Sequence, residues 1–283
     1  MTAATSTRRK ADPVLIGLWL ALAIVAIIWL VPFVFILFTS LKSNPQLFRG
    51  STFAPPRPAE WGNYLTAWET GNFSRYALNS FVIAIVKVPL GIFIASMAAF
   101  ALTRLHFRYQ RALLLVVVLG SMIPIQIALG PIFRIILDLG LLSTYLGLLL
   151  PYIAFGLPFQ IFLMQGFFRS LPRELDEAAY LDGCSKFTLF WRIGLPLALP
   201  MLAALFILDF VATWNEFGIA LVIMQSSSMW TIPLGLMGFQ GQFGSQYGQL
   251  NAGIVISVIP VLIVYFIFQR YFISGLASGA VKG

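Results

Sequence analysis

From Val14 to Phe38 the chain carries no charged residue, and so long an apolar run has few possible fates. A hydrocarbon core of ~30 Å takes ~20 helical residues to cross. A bilayer accepts helices, because they satisfy their own backbone polar groups. Comparable runs extend from about Ala77 to Leu102, Ala112 to Leu137, Tyr145 to Phe168, Leu199 to Met224 and Leu250 to Phe272. The pattern predicts an all-α membrane protein with about six transmembrane helices. Composition agrees: 59% of residues are hydrophobic and 10% charged, whereas a soluble domain carries about a quarter charged residues. The first run is too long for a signal-peptide core, and no small-x-small cleavage site follows it. Arg8-Arg9 is followed by Lys10, Ala11 and Asp12, which is not a twin-arginine signal.

The net charge of +8 is better read by position than as a sign of nucleic-acid binding. Arg8, Arg9 and Lys10 precede the first run, and Arg104, Arg108 and Arg111 follow the second. Arg169, Arg173, Lys186 and Arg192 follow the fourth, and Arg270 and Lys282 stand at and beyond the end of the sixth. These alternate segments share one side, which the positive bias marks as cytoplasmic, with both termini on it. The other side holds Lys42, Arg49, Arg57 and Arg75, diluted by Glu60 and Glu69. Cys184 is the only cysteine, so an internal disulfide is excluded and a plain small residue is expected there.

The longest external segment, Ser40 to Tyr76, contains Phe53-Ala54-Pro55-Pro56-Arg57-Pro58, where proline forbids helix or central strand. Trp61-Gly62-Asn63-Tyr64 reads as interfacial packing, with a short helix from Asn63 to about Glu69. Inside the runs, Pro124 and Pro131 bracket Gln126 and Gly130. That arrangement predicts either a broken helix beside a polar cavity or a simple kink.

The most informative stretch lies between the fourth and fifth runs. Ser170 can cap a helix whose first turn holds Pro172, and Glu174, Asp176 and Glu177 suit its positive end. Leu175, Ala178, Ala179 and Asp182 share one face by helical spacing. The two alanines flatten that face, so another backbone can come close. Gly183 suits the helix C-terminus, Ser185 can start a second short helix, and Leu195-Pro196 is expected to end it. The order is Glu177-Ala178-Ala179, three residues, Gly183, nine residues, Ile193, one residue, Leu195-Pro196.

This stretch resembles the signature of permease subunits in binding-protein-dependent ATP-binding-cassette importers. Thr39-Ser40-Leu41-Lys42, Trp214-Asn215-Glu216 and the terminal Gly275-Leu276 through Gly279-Ala280-Val281-Lys282-Gly283 look like the smaller, six-helix permease of the maltose and multiple-sugar branch. The resemblance implies a type I importer permease fold with a cytoplasmic coupling helix in the bacterial or archaeal cytoplasmic membrane. It also implies a cytoplasmic N-terminus over residues 1–13, a permease domain over 14–272 with its coupling loop at 169–197, and a cytoplasmic tail over 273–283. Glu177, Ala178, Ala179, Asp182, Gly183, Ile193, Leu195 and Pro196 would couple the permease to an ATPase. The implied partners are a second permease, two ATPase subunits, an extracytoplasmic binding protein and a carbohydrate, with membrane lipid around the bundle. The chain has no Gly-Lys dipeptide and hence no phosphate loop, so ATP and Mg are expected on the ATPase partners and no cofactor on this chain.

Ionisable residues at membrane depth are functional candidates. Lys87 and Asp209 each lie ~15 Å along their helices by 1.5 Å per residue, so their depths coincide and they are candidates for an ion pair. The alternative has Lys87 snorkelling to the interface and Asp209 facing a water-lined pathway. Gln126, Asn215 and Glu216 are further pathway candidates, with Glu216 read as a solvated boundary residue ahead of a sugar ligand. Trp230, Phe239, Phe243 and Tyr247, set among Gly and Gln, suit an interfacial belt or a binding-protein docking surface, and also a sugar site. Glycerol phosphate, a polyamine or another polar solute are alternative cargoes, and a proton-coupled carrier a further alternative. His106 is the only histidine, which excludes a His-based metal or protease site.

Overall fold

The structure, a computed structural model, describes residues 13–51, 53–241 and 244–280. The expected N-terminal segment, apart from residue 13, and residues 281–283 of the expected tail lie outside the described residues. α1 (Pro13–Ser40) is followed by the short α2 (Asn44–Arg49) and α3 (Gly62–Thr70). The long α4 (Phe73–Arg104) leads to α5 (Gln110–Ser121), α6 (Ile125–Asp138) and α7 (Tyr145–Ser170). Then come α8 (Glu174–Leu181), α9 (Lys186–Leu189), a π-helical turn at Phe190–Gly194, α10 (Leu195–Leu197) and α11 (Leu199–Trp214). α12 (Gly218–Ile223) and α13 (Ile232–Leu236) precede a two-stranded ladder, β1 (Gln240–Gly241) and β2 (Gly244–Ser245), and α14 (Tyr247–Ala280).

α4 is the axis of the bundle. Its inward stripe runs Tyr76, Ser80, Ile83, Ala84, Lys87, Val88, Gly91, Ala95 and Ala99, at helical spacing. Small residues on that stripe let backbones approach closely, as membrane helices require. α4 packs against α7 and α11, α11 against α14, and α14 against α1. At the end of the bundle that carries α8, Phe100 sits edge-on to Phe168 and Phe190. At the opposite end, Asn63 donates to the Ser40 and Lys42 carbonyls at 2.9 and 3.0 Å. Tyr64 and Ser40 hydroxyls meet at 2.7 Å. The turn after α1 and the short helix α3, separate expectations from sequence, thus form one capping unit.

Among the described residues, four helices are long and apolar enough to cross a membrane alone: α1, α4, α7 and α14. Two bent pairs raise the number to as many as six. α5 and α6 meet at 101°, and the α9–α10 segment meets α11 at 72°. The third run is therefore sharply broken and not one straight span. Pro124 disfavours helical geometry at Ile123 and opens α6 from an extended backbone, whereas Pro131 passes through α6 without ending it. The fifth run is also divided: α11 stops at Trp214 and α12 begins at Gly218. The last helix continues to Ala280, past the expected end of the sixth span at Phe272.

Candidate functional site

The loop between α7 and α11 displays α8 at one end of the bundle. Ser170 does not cap α8. Ser170 is the last residue of α7 and its hydroxyl donates back to the Phe167 carbonyl at 2.8 Å. Leu171 precedes a proline and is held extended, so α7 must stop there, and Arg173 takes the position before α8. Glu174, Asp176 and Glu177 do occupy the first turn, where the helix dipole favours them. Gly183 has φ +79°. Its N–H reaches the Tyr180 carbonyl at 3.0 Å, and the Cys184 N–H reaches the Ala179 carbonyl at 2.9 Å. This is the left-handed helix ending that glycine favours. Ser185 caps α9, accepting from the Thr188 N–H at 3.1 Å.

The faces of α8 differ from the expected grouping. Ala179 is buried and belongs to the core that includes Leu189, Phe190 and Phe168. The face turned away from the bundle holds Leu175, Ala178, Asp182 and Leu181, the last 89% exposed. Ile193 and Leu195 pack on the same core, and Pro196 is exposed. Pro196 stands in the first turn of α10 and does not end the helical path, which reaches Leu197. A proline there loses no hydrogen bond. A carbon added at Gly194 would lie 3.2 Å from the Phe100 ring, so the smallness of that residue sets how closely the loop seats on α4.

Arg104, the last residue of α4, fastens α8 to the bundle. Its guanidinium donates to Asp176 Oδ2 at 2.8 Å and to the Phe168 and Leu171 carbonyls at 2.8 and 2.9 Å. Sequence reasoning had counted Arg104 only as a topological charge. Its signal was its place, at the end of a span beside a loop rich in acids.

In the middle of the bundle Lys87 of α4 and Asp209 of α11 form a buried ion pair. Gln160 of α7 lies beside them, 1% exposed, with neither amide atom hydrogen-bonded among the described residues. Gly156 makes this node possible: a carbon added there would stand 3.0 Å from Lys87 Nζ and 3.2 Å from Gln160 Nε2. Gln160 was absent from the candidates, which took Gln126 and Asn215 as the uncharged polar residues of the spans. An amide in an apolar stretch, two residues after Pro158, was its available signal.

The remaining candidates separate. Glu216 is half-buried and hydrogen-bonded and is not a boundary residue in free solvent. Its carboxylate accepts from the Tyr152 hydroxyl and from the Ile219 and Ala220 N–H groups, the latter at 2.8 and 3.2 Å. It therefore satisfies the first donors of α12. Asn215 is exposed and donates to the Val211 carbonyl of its own helix at 3.0 Å. Gln126 is exposed in the first turn of α6. Phe239 is buried against Phe73, and Trp230 packs on Tyr76 while its indole donates to the Met224 carbonyl at 3.0 Å. Both turn inward, so neither forms the exposed belt or docking surface expected of them. Tyr247 is exposed, with its ring edge-on to Phe48. Phe243 lies outside the described residues.

A family model described as the inner membrane component of binding-protein-dependent transport systems matches residues 87–278, from the buried lysine through α14. The chain belongs to this family. A probable ATP-binding-cassette transporter permease protein, YurM of Bacillus subtilis, is 37% identical over 94% of this chain and 88% of its own length. The trehalose/maltose transport system permease protein MalG of Thermococcus litoralis is 37% identical, over 92% and 94%. A crystal structure of a bacterial ATP-binding-cassette transporter involved in import of the acidic polysaccharide alginate has a similar chain. The TM-score is 0.78 at 25% identity, covering 93% of this chain and 99% of that one. The architecture is that of a type I importer permease. The structure thus sets an exposed α8 face at one end of the bundle, the Arg104 hydrogen bonds that hold α8 to it, and a buried Lys87–Asp209 pair that joins α4 to α11.

Proposed function

We propose that this permease forms, with a second permease, the translocation pathway for a carbohydrate delivered by an extracytoplasmic binding protein, and that partner ATPases drive it. The observation that carries the reading is α8. It is a short acidic-ended helix held by Arg104 and Gly183, offering a Leu175–Ala178–Leu181–Asp182 face that is exposed among the described residues. That face suits a cleft on an ATPase subunit, which would bind ATP and Mg and move α8 on closing. Arg173 and Lys186 line a recess with the α8 acids and Arg169 lines the neighbouring one, which supports a cytoplasmic location for this end and for both termini. Carbohydrate cargo is supported by the trehalose/maltose relative and the alginate importer.

The test is reconstitution. The chain is co-expressed with its neighbouring permease and ATPase genes, and uptake of a panel of radiolabelled saccharides into vesicles is measured with added binding protein. ATP-dependent uptake of one saccharide is expected. Uptake that persists without ATP on a proton gradient would sink the reading, and selective uptake of glycerol phosphate or a polyamine would overturn the carbohydrate assignment.

A further inference from the structure

Where α4 and α7 end and α5 begins, Thr103, Arg104, Gln110, Arg169 and Arg173 enclose a cavity of about 420 Å³ together with Leu102. Among the described residues no carboxylate lines it. Arg104 is engaged with Asp176 and two carbonyls, while Arg169 and Arg173 are exposed. The acids of α8 border a separate recess that shares Arg173 but not Arg169. Gln110 donates one amide hydrogen to the Leu102 carbonyl at 2.6 Å and keeps a second, and a pocket with cations, one amide and no acid favours an anion.

A second feature continues from it. Leu114, Val117 and Val118 of α5 and Pro158, Phe159 and Phe162 of α7 line an apolar groove along the seam where the two helices pack. At 1.5 Å per residue, this groove extends from ~6 Å at Leu114 to ~16 Å at Ser121, its polar far end, beyond Gln110 on α5, and from ~10 to ~16 Å before Arg169 on α7. The two measures agree because the helices run in opposite senses. A depth of ~15 Å is one leaflet of a ~30 Å hydrocarbon core.

We propose that this seam is a binding site for an anionic phospholipid. The phosphodiester lies among Arg169, Arg173 and Gln110, and one acyl chain lies in the α5–α7 groove. Free phosphate or a phosphorylated solute shares the headgroup chemistry, but only a lipid uses both pocket and groove. The site adjoins the Arg104 clasp, so its occupant would sit against the anchor of α8.

The experiment is native mass spectrometry of the assembled complex with phosphatidylglycerol or phosphatidylcholine. Wild type is expected to retain phosphatidylglycerol in preference to phosphatidylcholine. Arg169→Gln should weaken retention about fivefold, the worth of one basic residue near an anionic surface. Arg169→Lys should keep most of it. Val118→Trp, which fills the groove, should also weaken it. Equal retention of the two lipids overturns the proposal, and that comparison decides alone if a variant does not assemble. Unchanged retention by Arg169→Gln overturns it as well. Displacement by millimolar inorganic phosphate with no effect of Val118→Trp would make this a free-phosphate site. A photo-cross-linker at Phe162 that captures the second permease would make the groove a protein interface.

Discussion

Removing either charge of the Lys87–Asp209 pair leaves the other among apolar neighbours at membrane depth, where an isolated charge costs ~3 kcal/mol on insertion scales. Lys87→Met and Asp209→Asn are each expected to lower the yield of folded complex on size exclusion by an amount matching about 3 kcal/mol. The double variant should recover much of the loss, because no lone charge remains. Simple additivity would show that the two do not act as a pair. At Gly183 the constraint is conformational and not spatial: φ is +79° and an added carbon would meet nothing within 4 Å. Gly183→Val should therefore cost about 1–2 kcal/mol of local stability and abolish transport, while Gly183→Asn, which tolerates that conformation, should keep most of it. Normal transport by the valine variant would show that α8 need not end in this turn. Arg104→Lys should behave like Arg104→Gln, since an ammonium cannot reproduce the guanidinium fork. Hydrogen exchange of α8 amides should rise in both, and protection preserved by Lys would count against the clasp.

Within α8, two adjacent alanines make opposite predictions. Ala179 is buried in the core and Ala178 faces away from it. Ala179→Trp overpacks the core, costs about 1–3 kcal/mol and should reduce the amount of folded chain. Ala178→Trp should leave the chain intact and remove co-purifying ATPase. If both variants keep the ATPase, α8 is not the contact. Much of this was legible in the sequence, because apolar runs, an acidic first turn and a glycine at a helix end are local signals. The sorting of Ala178 from Ala179 was not, since a spacing pattern shows which residues share a side but not which side meets the bundle. The angle between α5 and α6 was hidden for a related reason. Both halves of that run are apolar, and apolarity carries no direction; Pro124 alone marked the break. Glu216 was misjudged because a carboxylate capping a helix start and one facing water leave the same letter in the chain. Ser170 was misplaced although Pro172 had already fixed Leu171 as the end of the preceding helix.

At the scale of the molecule, α1 stands apart. From Pro13 through Val34 its residues are exposed, and its neighbour in the fold is α14. An arrangement of this kind needs lipid or another subunit around it. The isolated chain is expected to show no ATP hydrolysis, measured by phosphate release, and to gain it on assembly with ATPase partners; robust hydrolysis by the chain alone would refute the division of labour. The ion pair has a further consequence, in the time before the fold exists. Lys87 and Asp209 are 122 residues apart. At ~5–20 residues per second, a ribosome needs ~6–24 s to make the acid after the lysine. Through that interval α4 enters the membrane with a cation whose partner has not been synthesised. Nascent α4 is therefore expected to keep its lysine hydrated or snorkelled toward an interface until α11 brings the acid.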